Sequence, residues 1–301
     1  MLFRSRLDFW REQDGHRREI TRATGAVLRD DIYASRDGVE FSPSAGLVWT
    51  AAPGWRVRAA GQYSFRRPTL NELYRPFRVG NVITEANAAL GTEHATSAEL
   101  GVEHTLDKLT LGAGLFWNDL RAAVGNVTLA KGPGTFPIVG FVPAGGLGRQ
   151  RLNLDRIRVQ GLELSAKWRP TTTLSLNADY LYNDATVQSA SVAPALAGKR
   201  LAQVPRHTAA FGASWQPVKQ LTLTPRARVL GRQFEDDENL LRLGTAFVVD
   251  LGASYALTPG CEVFLNTENI TDERIETGRS TDGLVNTGTP RLVLGGVRCA
   301  W

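Results

Sequence analysis

From about residue 41 the chain repeats one pattern: segments of roughly ten residues alternate apolar and polar positions and are divided by turn residues. Ala98, Leu100 and Val102 share one face and Glu99 and Glu103 the other; Leu174, Leu176, Ala178, Tyr180 and Tyr182 oppose Ser175, Asn177 and Asp179. The same holds for 109–117, 221–229 and 247–255, where one face is oily and one wet, as a period of two requires of a strand. A soluble β-sandwich would alternate in the same way. The connections favour a barrel: short ones at 51–54, 106–108, 169–171, 217–219 and 257–260 take turns with long ones at 66–94, 130–151, 186–204, 232–241 and 272–288. Tight periplasmic turns and long extracellular loops give a transmembrane barrel this rhythm, whereas a sandwich has no reason to keep every second connection short.

The predicted fold is therefore all-β, an antiparallel transmembrane β-barrel of about twelve strands. They are expected near 25–34, 41–50, 55–65, 95–105, 109–128, 153–168, 172–185, 206–216, 220–231, 243–256, 261–270 and 289–301. Residues 1–24 are left as one more strand or an unpaired end, so the barrel region is expected to run over 25–301. Trp49, Trp55, Trp168 and Trp215 stand beside short turns, where an interfacial girdle needs them.

Composition changes this picture little. Hydrophobic residues at 43% and charged residues at 22% would suit a soluble protein, and no run of about 18 apolar residues offers a transmembrane helix. A barrel passes both tests unseen, because its lipid-facing residues are interleaved with polar ones. The net charge of +5 is spread over many strands, so no basic stripe points to nucleic acid. The opening residues Met1 to Asp8 lack the apolar core of a secretory signal, so the chain is expected to be mature, a fragment or a truncated reading frame.

Two stretches carry more than periodicity. Phe65-Arg66-Arg67-Pro68-Thr69-Leu70-Asn71-Glu72-Leu73-Tyr74 resembles a signature of TonB-dependent outer-membrane receptors, and Phe264-Leu265-Asn266-Thr267-Glu268-Asn269-Ile270-Thr271-Asp272-Glu273 resembles the motif of their penultimate strand. Gly161-Leu162-Glu163 is similar to a strand start in that family, while Ile275 stands near a position often held by Tyr. The resemblance implies active import in the bacterial outer membrane through a barrel of 22 strands filled by an N-terminal plug, coupled to TonB, with ferric siderophores, haem or cobalamin as typical cargo. Neither a plug nor a TonB box is recognisable in these residues, so the chain is expected to be the C-terminal part of such a barrel, partial relative to the family's 22 strands; a complete small barrel is the other reading.

The candidate residues follow. Tyr74, Arg75, Phe77 and Arg78 in the longest loop could meet an anionic chelate. Trp301 resembles the terminal aromatic that the barrel assembly machinery reads. Cys261 and Cys299 lie near the periplasmic ends of the last two strands and could either form a disulfide or simply face lipid. Arg226, Arg228, Arg298, Glu99, Glu103, Glu163 and Asp179 are expected to face the lumen. His16, His94, His104 and His207 show no ligand spacing, so neither a metal site nor a cofactor is predicted. Receptor and transporter is the leading function, with outer-membrane lipid, a metal chelate or similar small molecule, and TonB through the N-terminal part as partners. A passive pore, or a barrel hydrolase using His94 or His207, are the alternatives, and an enzyme is not expected.

Overall fold

A computed structural model describes residues 1–299. Each alternating segment is a strand, and twelve long strands hydrogen-bond in chain order into one antiparallel meander: β1 Leu2–Glu12, β2 Arg36–Ala52, β3 Trp55–Arg66, β4 Glu93–Leu106, β5 Leu109–Lys131, β6 Leu147–Thr171, β7 Leu174–Ser189, β8 His207–Val218, β9 Leu221–Leu230, β10 Ala246–Thr258, β11 Cys261–Glu268 and β12 Leu292–Cys299. Trp301 and its assembly signal lie outside the described residues.

The expected strand near 25–34 does form, but not in the wall. Val27–Tyr33 pairs with Gly15–Ile20 in a hairpin of the first long loop, and the first wall strand is Leu2–Glu12, in register with β2 from Leu2↔Gly46 to Glu12↔Arg36. Both segments alternate, so periodicity alone could not choose between them. The choice is made by β2, whose outward Val39, Phe41 and Ala45 oppose Phe9, Leu7 and Phe3.

The distribution of apolar groups excludes a sandwich. Leu100, Leu115, Leu164, Phe211, Phe247 and Val297 are exposed along one face of the sheet. A soluble protein does not leave a belt of this extent uncovered; lipid covers it here. Buried apolar packing lies instead at the loop end, where Ala123, Val127, Leu154, Ile157, Val187, Ala190 and Leu196 form a cluster. Trp49, Trp55, Trp168 and Trp215 are exposed close to short turns, as the girdle requires. The first of these turns depends on Gly54, at φ +77, where an added Cβ would come within 2.4 Å of the Thr105 carbonyl oxygen.

Among the described residues no ladder joins β1 to β12, so the sheet is an arc of wall with two free edges. At its far end Cys261 pairs directly with Cys299 across β11 and β12, and the structure joins them in a disulfide with Cα atoms 4.2 Å apart. The pair lies four residues below the row of Leu265, whose neighbours lead across the ladder to Trp215 in the inner girdle. This places it on the periplasmic side, where thiols oxidise.

Two outcomes follow. Leu164→Arg, in the middle of the lipid-facing belt, should cost about 2–4 kcal/mol in urea unfolding from bilayers, while Thr208→Arg on the concave face should cost far less. Alkylation of the denatured, unreduced protein should label no thiol, and two after reduction.

Candidate functional site

The site is built where β3 leaves the membrane. Pro68 forces the residue before it into an extended conformation and cannot donate to the ladder, so the strand ends there. Thr69 then caps the short helix α1, Leu70–Tyr74: its hydroxyl accepts from the Glu72 backbone N–H at 3.3 Å, while the Glu72 carboxylate accepts from the Thr69 N–H at 2.7 Å. Leu73 is fully buried beneath the turn.

Ion pairs fasten this turn to distant strands. Arg66 donates to Glu72 at 2.9 and 3.1 Å and also pairs with Glu93 at the start of β4. Arg67 bonds Glu12 of β1, donates to the Thr92 hydroxyl at 2.6 Å and lies 3.4 Å over the Trp10 ring. Arg151 of β6 donates to the carbonyl of Asn71 (2.6 Å), which also accepts the capping Arg75 N–H at 3.2 Å, and to that of Arg75 (3.1 Å), just past the end of α1. Burial acts upward on the Glu72 carboxyl but is outweighed by the bonds from Arg66 and Thr69, and its pKa falls from 4.5 to about 2. The hydrogen bonds to Glu93, then to Glu72, raise that of Arg66.

The predicted loop residues divide by position. Tyr74 is packed, its ring 4.8 Å from that of Tyr33. Phe77 is partly covered by the Arg151 guanidinium at 5.0 Å, while Arg75 and Arg78 are exposed, Arg78 held at 2.9 Å by the Gly80 carbonyl. The fastening geometry of the signature thus lies in Arg66, Pro68, Glu72 and Leu73, which fix the loop's base, and the exposed groups in its tip. Phe65 is the exception within the signature: it sits on the ladder opposite His94.

The second motif is a fastening too. Asn269 is buried at φ 50, where Asn is tolerated better than most residues. Its backbone N–H donates to Asp250 at 2.8 Å, its amide donates to the carbonyls of Glu273 (2.9 Å) and Thr289 (3.3 Å), and its side-chain oxygen accepts from the Glu273 N–H at 2.8 Å. Asp272 accepts from the Arg291 backbone at 2.9 Å, which secures the approach to β12. Asn266 stays in the wall, opposite Gly252 and Leu294.

The concave face carries the expected charges. Glu103 opposes Arg56 and pairs with it at 3.4 Å, Arg226 opposes Asp250, and Arg298 bonds Glu262 at 2.8 Å. Arg58 lies flat across Gly101 toward Gly114 and Glu163, a path that a side chain at Gly101 would obstruct, its Cβ falling 2.5 Å from the Arg58 Nε. With Asp179 and Arg228 these groups line a cleft of about 1010 Å³. The histidines are held apart: His94 Nε2 is 3.1 Å from Glu40, and His207 Nδ1 is 2.8 Å from the Tyr180 hydroxyl.

The sequence reading missed Arg151, Glu12 and the buried pair of Arg17 and Glu85 (2.9 Å), which ties the first loop to the second. Their partners lie tens of residues away, and no local pattern could mark them.

Comparison with known proteins places this geometry. The family described as TonB dependent receptor-like, beta-barrel matches residues 6–270. The iron-regulated outer membrane virulence protein of Vibrio cholerae is 24% identical over 272 residues, 86% of this chain and 40% of its own length. The ferrioxamine receptor of Yersinia enterocolitica is 32% identical over 149 residues, 46% of this chain and 19% of its own. Among solved structures, the copper transporter OprC superposes on 99% of this chain and 44% of its own, with a TM-score of 0.76 at 16% identity. The ferric enterobactin receptor of Pseudomonas aeruginosa does so on 89% and 41%, with a TM-score of 0.67 at 19% identity. The chain thus spans about two-fifths of the length of the first of these relatives.

Because its folded pKa is depressed, Glu72 stabilises the loop above its ordinary pKa of 4.5, and that contribution is lost as pH falls toward about 2. Melting curves between pH 7 and pH 3 should show the wild type losing on the order of 1–3 kcal/mol that Glu72→Gln does not lose. A parallel decline in the two proteins would contradict the assignment. Asn269→Ala, which orphans buried backbone groups, should cost about 2–4 kcal/mol by urea unfolding.

Proposed function

The chain belongs to the TonB-dependent receptor β-barrel family, an outer-membrane family, and from that premise we propose that it supplies wall and extracellular loops for energy-coupled import of an anionic ferric chelate. The observation that carries the reading is the loop after β3, whose base is fastened by Arg66, Arg67 and Arg151 while Arg75, Phe77 and Arg78 stay accessible at its tip. Guanidinium groups and an aromatic ring on a firmly held loop suit a cargo with anionic oxygens and flat rings, because little ordering cost remains when the cargo arrives. The iron-linked names of the relatives agree with such a cargo; haem and cobalamin are the other cargoes to test.

TonB coupling enters through the family. It also fits the concave face, where Arg58, Glu99, Glu163, Asp179 and Arg228 form a charged surface that a polar plug would satisfy through charge-assisted hydrogen bonds. Catalysis forms no part of the proposal, since no relative named above is an enzyme.

Titration of the detergent-solubilised protein with ferric catecholate and ferric hydroxamate chelates, followed by tryptophan quenching, should show saturable binding. The Arg75→Ala/Arg78→Ala double variant should bind at least about tenfold more weakly, a loss of roughly 1.4 kcal/mol. Unchanged affinity would remove these residues from the cargo site. A large steady conductance in planar bilayers would favour the passive pore instead.

A further inference from the structure

Arginines gather on the outward face of the wall, away from the loop tip and from the concave cleft. On β5 and β6 the outward rows run Leu111–Ala166, Ala113–Leu164, Leu115–Leu162 and Trp117–Gln160, then change chemistry at Asp119–Arg158 and Arg121–Arg156. One strand further, Arg158 pairs with Thr186, and Thr186 bridges to Arg200. Arg206, from the same loop, bonds Asp184 at 2.7 Å, on the row of Gln160.

Height along the strand places the group. A tilted strand crosses the hydrocarbon band in about 9–11 residues. Counted from the short turn at 107–108, Trp117 lies within that span, and Arg121, about twelve residues beyond Leu109, lies just above it. Arg156, opposite Arg121, sits at the same level, and Arg158, opposite Asp119, sits one row lower at the top of the span. These guanidiniums therefore emerge at the outer headgroup layer, directly above the aromatic residues Trp117, Tyr180 and Tyr182.

The local charges do not balance. Arg156 and Arg121 both reach the buried carboxylate of Asp119, Arg121 at 3.5 Å, and Arg206 has Asp184. Arg200 lies over the Phe234 ring at 5.7 Å, and the Nε atoms of Arg158 and Arg206 are shielded from water without a partner. Five guanidiniums thus stand around two carboxylates, a surplus of three positive charges. Arg121 and Arg156 are moreover direct cross-strand neighbours, a like-charge placement that costs stability unless an anion lies between. The one carboxylate of Asp119 is shared by both, and Arg121 keeps 73% of its side chain exposed.

The geometry points to a binding site for a phosphorylated glycolipid of the outer leaflet, with Arg121, Arg156 and Arg158 gripping its headgroup phosphates and Arg200 and Arg206 flanking them. Planar guanidiniums match phosphate oxygens in bidentate fashion, and the aromatic residues below present an apolar edge to the acyl chains. The site is independent of the cargo reading and is tested without any transport measurement.

The purified protein is mixed with vesicles of phosphatidylcholine containing diphosphoryl lipid A, or with plain phosphatidylcholine vesicles, and retained lipid A is quantified by native mass spectrometry after detergent exchange. Wild type should retain lipid A stoichiometrically, with retention falling steeply as salt rises. Arg121→Gln/Arg158→Gln should retain at least about tenfold less, while Arg22→Gln/Arg29→Gln in the first loop should match the wild type. Arg121→Lys/Arg158→Lys, which preserves charge and so fold, should fall between them. Equal retention by the wild type and the glutamine variant would overturn the proposal, as would displacement of lipid A by millimolar inorganic phosphate, which would mark a site for the free anion.

Discussion

Within a bilayer no water is available to satisfy the backbone, and every other feature of this protein answers to that constraint. Each strand must give its N–H and C=O groups to a neighbour, which makes one continuous meander the only arrangement open to a chain with this alternation. The same demand gives the two free edges their meaning. Among the described residues β1 and β12 pair on one side only, and lipid cannot satisfy the backbone groups on the other. The disulfide between Cys261 and Cys299 holds the last register at one of those edges, where a slip by one residue would turn the oily face of β12 inward.

Once the backbone is satisfied by neighbours, the loops must be ordered by side chains. Here the two sequence motifs find a common explanation. The turn after β3 and the turn after β11 are places where the chain leaves the ladder and must find new partners at once. In the first, a capping box and the arginines Arg66, Arg67 and Arg151 provide them; in the second, Asn269 alone satisfies groups at Glu273 and Thr289 while Asp250 receives its own N–H. Each motif is a fastening, and ties between loops extend it across the outer end: Arg17 to Glu85, Thr128 to Asp237, Arg200 to Asn239 and Thr281 to Gly145.

Charge is used differently on the two faces of the same strands. On the concave side acids and bases alternate across the ladder, as in Arg56 with Glu103 and Arg226 with Asp250, and suit a polar filling. On the convex side charge is withheld through the hydrocarbon band and returns only above Trp117, as an excess of arginine. One alternation along β5 and β6 thus serves three solvents: an aqueous interior, hydrocarbon and a headgroup layer.

How much was legible follows from the range of each interaction. Alternation is local, so strands, their faces, the short turns and the girdle tryptophans could be read from the chain, and the two motifs led to the family because each is a contiguous run of ten residues, although most of their fastening partners lie far away in sequence. Pairing is not local. The chain could not say that Leu2–Glu12, rather than the equally alternating Val27–Tyr33, lies against β2, nor that Tyr74 would be packed on Tyr33 while Arg75 and Arg78 stayed free. Nor could it show five arginines from β5, β6 and the loop before β8 meeting above one ring of aromatics. Sequence by itself determined which residues face lipid and which face water, because that choice needs only a period of two. Register and loop folding determined which charges meet, because ion pairs such as Arg151 with the end of α1 join residues that only the tertiary structure brings within reach.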